Sequence, residues 1–177
     1  MAFTLYDATI PTYVQILNAL RGLVDKAEAW CAEKNMPEAD LLGLHFGEDM
    51  RTLSWQFKWT STHSIGAIEG VRAGIFSPDL VPPPEGLTGL RAQIDDSIAK
   101  LEAIEPAEIE SFIGRDMLFS APHRNFEMHF AAEHFLTSFS MIHFMFHATT
   151  AYDLLRDQGL DIGKADFLGR PRSRMPA

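Results

Sequence analysis

The chain holds a single cysteine, Cys31, in 177 residues. No intramolecular disulfide can form, so the fold depends on its core, and a reducing, cytoplasmic setting suits it. Cys31 itself reads as a small apolar residue on a helix, because its near neighbours Glu28 and Glu33 oppose thiolate formation. Positive charge is also short. Fifteen Lys and Arg stand against 24 Asp and Glu, a formal net charge of −9. That balance excludes nucleic acid as a partner, since neutralising phosphates needs a basic surface. The one basic cluster, Arg170, Arg172 and Arg174, reads as a solvated terminus. The opening MAFTLYDATIPTYV lacks a basic run ahead of an apolar stretch, so no secretory leader is expected. A glycine-rich phosphate loop and a G-x-S-x-G nucleophile elbow are missing too.

Long apolar runs are scarce. Between Glu133 and Asp153 there is no Asp, Glu, Lys or Arg, a stretch long enough to span a bilayer. It nevertheless contains His134, Ser140, His143, His147, Thr149 and Thr150, polar groups that are costly in hydrocarbon. The expectation is therefore a buried helix with a polar interior stripe, and no membrane partner. What the chain does have is core material: 46% hydrophobic and 22% charged residues, the balance of a soluble domain. With no repeat or low-complexity segment, residues 1–177 read as one domain.

Helical periodicity organises most of it. Tyr13, Ile16, Leu17, Leu20, Leu23 and Val24 recur at helical spacing, predicting a first helix from near Thr9 to about Ala32. Asn35 and Pro37 end it, and a loop with a short turn at 40–44 follows. A second helix is expected from Glu48 or Asp49 through Trp55, Trp59 and His63 to Ala73. Gly66, Gly70 and Gly74 in its latter half each weaken a helix by about 1 kcal/mol. Their expected use is close approach of a neighbouring helix. The proline-rich connector 77–86 separates this from a third helix, capped near Thr88 and carrying Leu90, Ile94, Ile98 and Leu101. Residues 115–130 alternate around the turn-like APHR and predict a small β-hairpin. A fourth helix spans about 132–158, and 160–177 reads as an extended tail whose Phe167 and Leu168 dock onto the bundle. The sum is an all-α four-helix bundle with a β-hairpin before the last helix.

The chemistry-bearing feature is a set of histidines. His143 and His147 lie four apart in the fourth helix, on one face and one turn apart. His63, between Trp59 and Gly66, belongs on the inward face of the second helix. Three neutral imidazoles with one open position form a catalytic zinc arrangement, and imidazole also suits nickel or iron. Thr150 and Asp153 are candidates for orienting an imidazole N–H. The other reading is structural: histidines hydrogen-bonded within the core of a non-catalytic bundle that binds a small apolar ligand or a partner protein. His134 lies nearly opposite His143 around the helix, His123 is in the turn, and His45 and His129 have no evident partner. The phenylalanines and tryptophans at helical spacing read as core.

Two motifs carry a resemblance. Tyr6, Ala8, Pro11 and Tyr13 near the start, and F-H-A-T-T-A-Y-D-L-L-R…G-K-A-D-F-L-G from Phe146 to Gly169, resemble a bacterial domain-of-unknown-function family. That family is grouped with the DinB/YfiT-like metalloenzymes, and the likeness covers nearly the whole chain. It implies a DinB-like four-helix bundle, frequently a homodimer. It also implies a divalent metal, zinc or nickel, held by one histidine of the second helix and an H-x-x-x-H pair of the last. His63, His143 and His147 match that layout. The activity implied is a thiol-dependent transferase or isomerase reaction on a small-molecule substrate.

Overall fold

The first helix starts earlier than its apolar periodicity suggests, because Thr4 and Asp7 form a reciprocal cap. Thr4 Oγ1 accepts the Asp7 N–H and Asp7 Oδ2 accepts the Thr4 N–H, both at 3.1 Å. In this computed structural model, which describes residues 2–173, α1 accordingly runs Leu5–Lys34 and closes on Asn35 in the left-handed region. Pro11 then sits inside a helix, and its missing N–H leaves the Asp7 carbonyl without a helical donor. Arg172 fills the gap: Nη1 donates to the Asp7 carbonyl at 3.2 Å and Nη2 to Thr12 Oγ1 at 2.9 Å. The basic tail is thus partly docked rather than wholly solvated. Arg174 lies outside the described residues.

A short α2 (Glu38–Leu42) is the turn expected there. The single second helix expected over 48–73 is instead two, α3 (Leu53–Thr62) and α4 (Ile65–Ala73), broken at His63 and Ser64. No proline or glycine causes this break. Side chains compensate it: Ser64 Oγ donates to the Thr60 carbonyl at 2.7 Å, and Ser140 Oγ donates to the His63 carbonyl at 3.0 Å.

The glycine spacing serves neighbours other than a helix. A Cβ at Gly70 would lie 2.9 Å from Cβ of Phe76, so that glycine admits the strand that follows. Gly74 ends α4 at φ 74°, a left-handed cap. The strand is β1 (Ile75–Phe76), and it corrects the all-α expectation. It pairs in parallel with β2 (Asp116–Ala121), which pairs antiparallel with β3 (Phe126–Ala131) in register from Asp116↔Ala131 to Ala121↔Phe126. The hairpin is therefore as expected, and it belongs to a three-stranded sheet.

The connector after β1 is tied down by Lys58, only 4% exposed, which donates to Asp79 and to the Val81 carbonyl. α5 (Gly86–Glu102) follows; Glu38 caps its start by accepting the Leu87 N–H at 2.9 Å. α6 is Pro106–Glu110. The last long helix is α7 (Ala132–His134), a π-helical stretch (Phe135–Ser140) and α8 (Met141–Asp157). The tail is not extended throughout: α9 (Lys164–Leu168) lies on α1 and Phe167 packs 5.7 Å from the Tyr152 ring, whereas the Leu168 side chain, expected to dock, stays 42% exposed and only its carbonyl is held, by Gln15 Nε2 at 2.8 Å.

These elements close on one core. α1 packs on α5 and α8, and α3 packs on α8, with Tyr13, Leu17, Leu20, Phe57, Phe135 and Phe144 fully buried between them. The fold is mainly helical with a small sheet at one side. No helix among the described residues is long and apolar enough to cross a membrane.

Candidate functional site

The packing of α3 on α8 brings together the three histidines that the sequence singles out. The His63 ring centre lies 4.8 Å from that of His143 and 5.6 Å from that of His147. Ligands at about 2.0–2.1 Å from one tetrahedral ion hold their ring centres roughly 5 Å apart, so the spacing suits a shared site. All three line one cavity of about 510 Å³ between α3, α8 and the hairpin.

Each imidazole is anchored through Nδ1. His147 Nδ1 is 2.8 Å from Gln56 Oε1, His143 Nδ1 is 2.9 Å from the Phe139 carbonyl, and His63 Nδ1 is 3.3 Å from Ser140 Oγ. The partners decide the proton's place. A carbonyl can only accept; Gln56 is oriented because its Nε2 donates to the Arg51 carbonyl at 2.9 Å; and Ser140 has given its own proton to the His63 carbonyl. These partners favour N–H at Nδ1 and a lone pair at Nε2 on each ring.

Local structure explains the anchors. The break after α3 exposes the His63 carbonyl that Ser140 binds, which also fixes Ser140 against the His63 ring. The π turn ends at Ser140 and presents the Phe139 carbonyl to His143; such turns recur at functional sites. Gln56, Trp59 and His63 fall on one face of α3, and the Trp59 ring lies 4.9 Å from that of His147.

Burial keeps two of the rings, His63 and His147, uncharged. Burial foremost, then the neighbouring His143, pushes His147 down to about 4. Burial also pushes His63 well below the ordinary histidine range, with His143 and His147 adding to the effect. At neutral pH no proton competes for these two lone pairs.

The donor chemistry fits a divalent cation, but the rings as posed do not yet enclose one. His63 stacks within 15° of His143 and 23° of His147. Among the described residues no group of three His, Cys, Asp or Glu side chains is disposed to hold a metal ion as it stands. Closure requires a ring to turn, and His63, with the longest anchor, is the one least restrained.

The expected orienting residues are different from those found. Thr150 Oγ1 donates to the Phe146 carbonyl at 2.8 Å, and Asp153 is exposed, so neither holds an imidazole. Gln56 and Ser140 do, and only the shared helical face of Gln56, Trp59 and His63 hinted at one of them. His123, read as a turn residue, lines the cavity. His45 Nδ1 pairs with the Gly47 carbonyl at 2.6 Å, away from the site. Cys31 is buried, and burial raises its thiol further, as its apolar reading implies.

The fold is one already seen in a solved structure. The crystal structure of a DinB family member from Shewanella denitrificans superposes with a TM-score of 0.77 at 24% identity, covering 97% of this chain and 96% of that one. Residues 5–168 match the family described as Domain of unknown function (DUF1993), and the chain belongs to that family. No curated protein matches it.

Proposed function

We propose that His63, His143 and His147 bind one divalent cation, zinc or nickel, through Nε2, and that the ion serves a reaction on a small molecule in the adjoining cavity. The observation that carries this is the set of three Nδ1 contacts, to Gln56 Oε1, the Phe139 carbonyl and Ser140 Oγ, from which we infer that Nε2 is the free nitrogen of each ring. Second-sphere partners of this kind fix ring orientation and tautomer at metal sites. A bound divalent ion supplies a Lewis acid and ionises a coordinated water or thiol near neutral pH. Within the chain, Gln56 orients His147 and Ser140 orients His63, while Trp59 and Phe139 form aromatic walls beside the histidines. A low-molecular-weight thiol as co-substrate, transferred or used in an isomerisation, is the reaction class in keeping with the resemblance noted above.

Elemental analysis of the full chain, expressed with zinc or nickel supplied, tests this. The expected result is about one ion per chain, lost in His143→Ala and His147→Ala variants that keep their near-ultraviolet circular dichroism. An empty wild-type protein would contradict it.

The stacked rings favour a second reading, in which the histidines are core residues of a bundle that binds an apolar ligand without metal. It shares the Nδ1 hydrogen bonds and differs at Nε2, so zinc added to the purified chain would leave stability unchanged. On the first reading zinc raises Tm, because a site assembled only in the folded state binds it more tightly than the unfolded chain does.

A further inference from the structure

We propose that the cavity beside the histidines selects a small aromatic or flat apolar molecule bearing a carboxylate, which Arg51 and Arg124 receive at its mouth. This rests on the reading of that cavity as a binding site and names the class of ligand it takes. The chain as a whole is acidic, with 24 Asp and Glu against 15 Lys and Arg, yet the cavity lining inverts the ratio. Arg51, Arg124 and His123 line it, and Asp49 is its one acidic residue.

The two arginines come from separate segments, Arg51 from the one entering α3 and Arg124 from the turn between β2 and β3. Neither makes an ion pair with a carboxylate among the described residues, whereas Arg21, Arg72 and Arg91 all do. Arg51 is held in place by other means: its guanidinium lies 4.9 Å over the Trp55 ring. Stacking on an aromatic face leaves the N–H edge of a guanidinium available, and that planar edge matches a carboxylate. The indole N–H of Trp59, a residue of the same wall, has no acceptor among the described residues.

Most of the remaining lining is apolar, with Met50, Pro78, Leu80 and Ala121 beside an aromatic set. Phe119, Phe126, Phe139 and Phe146 join Trp59 around the volume. Phe126 and Phe146 remain 48% and 53% exposed, so a guest would cover apolar surface that now faces solvent. Apolar walls with a few fixed polar groups are the usual composition of a small-molecule site, and about 510 Å³ is within the usual size. The walls account for a flat apolar body and the arginines for one anionic end.

The test uses 2-naphthoate and its neutral analogue 2-naphthamide as probes, with tryptophan fluorescence as the readout. The full chain is titrated as purified and again in the presence of a chelator. The expected result is saturable binding, at least tenfold tighter for the naphthoate in both conditions. Arg51→Gln and Arg124→Gln each weaken naphthoate at least fivefold and leave naphthamide unchanged, and Arg51→Lys loses less than Arg51→Gln. Equal binding of both probes, or naphthoate binding indifferent to both arginines, would overturn the proposal. So would a failure of naphthoate to bind. Absence of metal in a protein that binds naphthoate in this pattern would sink the metal reading alone; metal at the histidines without naphthoate binding would sink only the ligand class.

Discussion

Gln56 Oε1 accepts the Nδ1–H of His147 at 2.8 Å, and the two residues belong to different helices, α3 and α8. The bond does two things at once. It satisfies a buried ring N–H across the α3–α8 interface, and it directs the other nitrogen of His147 toward the cavity. Replacing Gln56 by Ala removes both effects. Zinc affinity is expected to fall roughly 10–100-fold, and stability by about 1–3 kcal/mol because a buried donor loses its partner. Calorimetric zinc titration and denaturant unfolding measure the two separately. Stability lost with unchanged zinc affinity would leave Gln56 a packing residue only.

Acid should unfold the protein through its buried imidazoles. His147 titrates near 6.5 when unfolded and at about 4 when folded, so between those values the unfolded chain binds the extra proton. Stability is therefore fully present above about 6.5 and falls as pH drops toward 4, by about 3 kcal/mol for this residue at full extent. His63 adds a loss in the same direction. Urea midpoints measured from pH 7.5 to 4.5 in chelator check this, with His147→Gln as the comparison. A profile equally steep in that variant would place the acid sensitivity elsewhere.

The tail contributes to the fold. Leu160 and Ile162 are 3% and 2% exposed, and α9 and Arg172 dock on α1 beyond them. Truncation after Gly159 removes two buried aliphatics at about 1.5–3 kcal/mol each, which lowers Tm by roughly 10 °C in a domain of this size. An unchanged melting curve would show that the docking is energetically idle.

The long helices were legible because their apolar residues repeat on one face, as Leu17, Leu20 and Val24 do in α1. The hairpin was legible because Phe126, Met128 and Phe130 alternate. What escaped was set by contacts distant in sequence. The break at His63 has no local breaker, and is held by Ser140 from another helix. The third strand, β1, is two residues long and has meaning only beside Leu118. The start at Thr4 was readable in principle from its T-x-x-D spacing, and was hidden by the later apolar stripe. At the site, the three histidines could be named from their spacing. Their anchors could not, since a glutamine on α3 and a serine closing a π turn look like any polar residues until the helices are packed. A regular helical wheel also assigns Thr150 an orienting role that its own helix's carbonyl pre-empts.

The claim on which the site depends is that His63, His143 and His147 all hold their proton on Nδ1 and offer Nε2. Long-range ¹H–¹⁵N correlation of the ¹⁵N-histidine-labelled chain at pH 7.5 measures this, first metal-free and then with zinc added. Three unprotonated Nε2 atoms are expected in the metal-free protein, all three shifting together on zinc addition. An Nε2–H tautomer at any of the three, or three Nε2 signals unmoved by zinc, would contradict it.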